Sequence, residues 1–159
     1  MVTASAAELL QVAMQDLLQA RRTLVDRLPV VIAAASDPRL RTVLAELSRA
    51  AEEGGADLRA CLSEDGPPCL WAGGIMDDAE RDTHAHRSGV LKDVALVGAV
   101  RKWLAADIVS LETAVALAGQ LSMTRERELC ARLRACSMTR VAALREQLAA
   151  LAAASPSAG

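Results

Sequence analysis

GAVRKWLAADIVSLETAVALA (Gly98–Ala118) decides how the chain folds. Leu104, Ile108, Leu111, Val115 and Ala118, with Val97 just before, recur at spacings of three, four and seven. That is the signature of one apolar helix face. The seam runs unbroken through Leu104 and Ala105, and a single acid, Asp107, follows one turn on. A helix of this length and apolarity needs partners on several sides, so the rest of the chain is expected to supply a bundle around it.

Composition agrees. The 159 residues contain no Phe or Tyr and only two Trp, whereas a sheet draws on aromatic and β-branched side chains. Ala and Leu dominate, which favours helices packed through small side chains in one all-α domain. Acids and bases are interleaved at a formal net charge of −2. No basic footprint for nucleic acid or an anionic membrane is present, so neither is an expected partner. The N-terminus MVTASAAELLQ (Met1–Gln11) lacks a basic segment followed by an apolar run, and no stretch reaches the roughly 18 apolar residues of a spanning helix. A cytoplasmic location is expected, with the four cysteines (Cys61, Cys69, Cys130, Cys136) reduced and Cys136 buried as packing.

Three further seams follow. Leu10, Ala13, Leu17, Leu24, Leu28, Val31 and Ala35 mark a first helix, with Pro29 expected to kink it. SDP (Ser36–Pro38) is a stop and restart, with Ser36 or Asp37 as N-cap and Pro38 in the first turn. Leu40, Leu44, Leu47, Ala51, Gly54, Leu58 and Cys61 mark the second helix, which ends before SEDGPP (Ser63–Pro68). A short helix over Leu70–Thr83 should lie in the following connection and cover one end of the bundle, with a loop to Gly89. The third long helix starts near Val90. Ser122 or Thr124 should cap a fourth carrying Cys130, Leu133, Ser137, Val141, Leu144, Leu148 and Leu151. Leu17, Leu47, Leu104, Ile108, Leu111 and Leu144 should be largely buried. The expected architecture is an all-α four-helix bundle with ferritin-like connectivity: a long crossover between the second and third long helices, and a short extra helix within it. Residues 1–154 form the domain and 155–159 a disordered tail.

DLLQARRTLVDRLPVVIAAASDPRLRTVL (Asp16–Leu44), CLWAGGI (Cys69–Ile75) and DVALVGAVRKWLAADIVSLETAVALA (Asp93–Ala118) together resemble the YciE/YciF family of bacterial ferritin-like proteins. The spacing from Leu28-Pro29 to Ser36-Asp37-Pro38 carries most of the resemblance, which extends over about Leu9–Leu151. It implies a stress-associated, ferritin-like bundle of the kind that holds metal through inward carboxylates and histidines. In register with that pattern, Arg21 stands at the first-helix Glu, Leu47 and Ala50 at the second-helix His and Glu, and Leu104 and Ala105 at the third-helix Glu-His pair. Cys136, Ser137 and Val141 stand near the fourth-helix acids. Asp107 keeps an acid the family pattern shares. The resemblance therefore implies a former metal centre whose ligand row has become core, with no cofactor.

A guanidinium on the first-helix seam must find a carboxylate or reach the rim, and Asp107 is the candidate partner of Arg21. The small residues Ala50, Ala51, Gly54 and Gly55 leave volume there for Arg21 or Trp103. THAH (Thr83–His86) offers two imidazoles near Asp82, short of the four ligands zinc takes. No Ser/His/Asp set, phosphate loop or zincin motif is present. The expected function is a non-catalytic, ferritin-like protein with a stress or protein-interaction role in bacteria, working as a homodimer and with an unidentified protein as a possible further partner. Two alternatives stand beside it. One is residual metal or redox activity through Asp107, Glu52, His84, His86 or the thiols. The other is a small-molecule binder using a cavity among Ala50, Gly54, Leu104 and Ala105.

Overall fold

The structure is a computed structural model that describes residues 2–156. Its described residues form five helices: α1 Ala6–Ala34, α2 Pro38–Arg59, α3 Leu70–Ala85, α4 Val90–Gln120 and α5 Thr124–Ala154. No strand occurs among them. Helix α1 starts at Ser5, whose hydroxyl accepts from Glu8 N, while the Glu8 carboxylate reaches back to Ala4 N, satisfying two donors that a helix start leaves free. It continues through Pro29, which lies exposed on the outer face. Asp37, rather than Ser36, caps α2 by accepting from Arg39 N at 2.7 Å, with Pro38 at the first position.

Hydrogen bonds at the two ends fix the topology. The carboxylate of Asp93, in the first turn of α4, accepts from Ser36 N and Asp37 N at 2.8 Å each. Gln147 of α5 donates to Asp37 from the same end. At the opposite end, Gln15 and Gln19 of α1 donate to the carbonyls of Glu64 and Asp65 in the segment after α2. The chain therefore runs up α1, down α2, up α3, down α4 and up α5. Helix α1 neighbours α2 and α4, and α5 neighbours α4 and α2. These four form the bundle, and α3 carries the long crossover.

Three details differ from the sequence reading. Helix α3 packs along the flank of α1 and α4, where Arg27 holds it through Gly73 O, Asp77 and Glu80, so it is a fifth helix alongside the bundle and not a lid over one end. Helix α5 has neither Ser122 nor Thr124 as a cap. Met123 takes that position without a side-chain bond, and Ser122 adopts φ 56° in the tight turn. Ile108 is only half-buried, because it stands at the edge of the inward arc of α4, which centres on Val100, Leu104, Asp107 and Leu111. Of the C-terminal segment, Ser155 and Pro156 follow α5 outside any helix, and 157–159 lie outside the described residues. Leu17, Leu47, Leu104, Leu111 and Leu144 are buried.

The core falls into two apolar clusters. One holds Leu24, Leu28, Leu40, Leu44, Trp103, Leu104 and Leu144 with the inner face of α3. The other holds Leu10, Leu17, Leu58, Leu111, Cys130 and Leu133. The break falls at one level on every helix of the bundle: at Arg21, Gly54, Asp107 and Ser137.

Candidate functional site

That level is a buried polar layer. Arg21 and Asp107 are 4% and 0% exposed. Helical spacing places them there, since each lies on the inward arc of its helix with leucines a turn before and after. Arg21 donates from both terminal nitrogens to the two Asp107 oxygens, Nη1 to Oδ1 at 2.7 Å and Nη2 to Oδ2 at 3.2 Å, and Nη1 also reaches Leu17 O at 3.2 Å. Ser137 Oγ donates to Asp107 Oδ2 at 2.7 Å. The carboxylate thus takes three hydrogen bonds from two other helices, the condition under which a buried ion pair can offset its desolvation.

Helix α2 contributes room. A Cβ on Gly54 would stand 2.9 Å from Leu133 Cδ2 and 3.2 Å from Arg21 Nε, so the absent side chain leaves the space that Arg21 and Leu133 occupy. Gly55 is less constrained, its nearest neighbours being at 3.8 Å or more. Beside the layer lies a cavity of about 30 Å³ lined by Arg21, Leu47, Ala50, Trp103, Ser137 and Arg140 among others. It has room for about one water and none for a larger organic ligand. Trp103 Nε1 is buried with no acceptor among the described residues.

The positions matched to the ligand row do not all meet. Arg21, Leu47, Leu104 and Ser137 are buried, and Ala50 and Val141 are half-buried. Ala105 is exposed, because it sits 100° around the helix from Leu104 and turns outward. Cys136 is exposed rather than buried, for the same reason relative to Ser137. His84 and His86 are exposed, and Glu52 is exposed on a groove of about 430 Å³ that Arg21 also lines. All four thiols are free. Burial pushes the Cys69 thiol up, and burial pushes Cys130 up to about 11.

A metal ion needs lone-pair donors. The layer offers one carboxylate and one hydroxyl, and its third member is a cation without a lone pair. Among the described residues no three His, Cys, Asp or Glu side chains stand together as ligands. The residues present therefore do not fit a di-metal centre. Sequence reading missed Ser137 as the second donor to Asp107 and Asp93 as a buried clasp. The available signal was spacing: a polar residue on an inward seam at the level of Asp107, and an acid four turns before it.

Among solved structures, the chain resembles the E. coli stress protein YciF, with a TM-score of 0.92 at 16% identity over 96% of this chain and 100% of that one. It also resembles YcfI of Rhodopseudomonas palustris, named as a candidate structural protein, with a TM-score of 0.83 at 17% identity over 89% and 94%. No curated protein sequence matches it. No helix among the described residues is long and apolar enough to cross a membrane. Residues 5–155 match the family described as Domain of unknown function (DUF892), and the chain belongs to that family.

Proposed function

We propose that this chain is a non-catalytic, ferritin-like helical protein with a stress-associated or protein-interaction role in bacteria, in which an ion pair stands at the level of a former metal centre. One observation carries the reading: the bidentate Arg21–Asp107 pair, completed by Ser137, fills the centre of the bundle with a cation. A positive charge there repels a metal ion, and each carboxylate oxygen already accepts a hydrogen bond. The resemblance of the whole chain to a stress protein supports the setting. A cytoplasmic homodimer is the form proposed, checked by light scattering on the purified protein.

The test is titration of untagged, metal-free protein with Fe(II), Mn(II) and Zn(II), followed by metal analysis after dialysis. Retained metal far below one equivalent is expected for all three. Stoichiometric binding that disappears in Asp107→Asn would overturn the reading and put a working metal site in the layer.

A further inference from the structure

Two of the four free thiols share the lower core. Cys130 is fully buried on the inner face of α5, and Cys61, just past the end of α2, packs half-buried against the same cluster. The register of α5 on α2 brings them to one height. Arg132 bonds Asp57 at 3.0 Å and Arg140 bonds Glu46 at 3.0 Å, so in this antiparallel pair one turn past Asp57 faces one turn before Arg132. Cys61 and Cys130 lie within about half a turn of that level. Cys61 also lines an open groove of about 720 Å³ with Leu129, the residue before Cys130. The Cys130 thiol is raised first by burial, and the Cys61 sulfur adds to that rise while Arg21 opposes it. Cys69 is buried in the other cluster and Cys136 is exposed six residues along α5 from Cys130.

We propose that Cys61 and Cys130 are an oxidation site for hydroperoxides, closing to a reversible disulfide that ties the start of the crossover to α5. Cys61, reached through the groove, attacks the peroxide as thiolate. The O–O bond breaks, Cys61 becomes the sulfenic acid, and water leaves after protonation when the oxidant is hydrogen peroxide. The Cys130 sulfur then gives up its proton, attacks the Cys61 sulfur and displaces the sulfenic oxygen as a second water. Two thiols and one peroxide thus yield one disulfide and two waters. Cys130 stays protonated and shielded until a sulfenic acid forms beside it. This proposal stands apart from the reading of the polar layer.

The test uses the full chain carrying Cys136→Ser, reduced and then treated with hydrogen peroxide under native conditions. An intact mass lower by two hydrogens, a mapped Cys61–Cys130 link, reversal by dithiothreitol and a Tm rise of about 10 °C for a loop on the order of 70 residues are expected. Cys61→Ser should abolish the link and the Tm rise while melting normally when reduced. Cys130→Ala should leave a sulfenic acid on Cys61 that dimedone traps. Oxygen added to Cys61 without a link in the Cys136→Ser chain would overturn the proposal, as would a Tm rise that survives Cys61→Ser.

Discussion

Helix α4 buries two carboxylates four turns apart, and they do different work. Asp93 is 1% exposed and accepts two backbone N–H groups at the turn between α1 and α2. Asp107 is 0% exposed and accepts a guanidinium and a hydroxyl. Neutral dipoles satisfy the first, so Asp93 is a clasp that sets where α4 begins against the turn. A full charge satisfies the second, so each partner depends on the other. Equal burial therefore does not mean equal role: the chemistry of the donor separates a backbone clasp from a buried ion pair.

Removal of each carboxylate should separate them. Asp107→Ala leaves Arg21 buried and unpaired, and a loss of about 3–5 kcal/mol in urea unfolding is expected. Asp93→Ala strands two backbone N–H groups at a partly buried turn and should cost about 2–3 kcal/mol. Equal losses, or a larger loss at Asp93, would break the comparison. At Arg21 the order should be Arg21→Met better tolerated than Arg21→Glu, because the second adds a like charge beside Asp107.

The glycines of α2 sharpen it at smaller scale. Gly54→Ala gains about 1 kcal/mol of helix propensity but drives a methyl into Leu133 and Arg21. A net loss of about 1–2 kcal/mol is expected. Gly55→Ala meets nothing closer than 3.8 Å and should be neutral or stabilising by up to about 1 kcal/mol. Thermal melts of the two variants decide whether the layer or the helix alone demands glycine.

A further effect lies at alkaline pH. Cys130 is held at about 11 in the folded chain, above the ordinary thiol value, so the folded state binds its proton more tightly than the unfolded one. Its contribution is fully present below about pH 8.5 and declines as pH rises toward 11. Tm measured across that range should fall less steeply in Cys130→Ala than in the parent chain.

The four long helices and the crossover were legible because their seams are long and end at strong punctuation: SDP before α2, the Gly-Pro-Pro segment before α3, and Gly89 before α4. Arg21 and Asp107 could be named because each is a charge on an otherwise apolar arc. The outward turn of Ala105 and Cys136 was not legible, since alanine and cysteine fit either face of a helix and only packing decides. The flank position of α3 depends on Arg27 bonding Asp77 and Glu80 across helices, and Asp93 bonds backbone N–H groups 56 and 57 positions earlier in the chain. Neither leaves a local pattern.

The central claim is that Arg21 and Asp107 act as one buried unit. A double-mutant cycle with Arg21→Met and Asp107→Leu, followed by urea unfolding at low and at high salt, tests it most directly. The account predicts a coupling energy of about 2–3 kcal/mol that survives high salt, because a pair removed from water is little screened. Coupling below a few tenths of a kcal/mol, or coupling abolished by salt, would mean that the two charges sit separately in solvent and would contradict it.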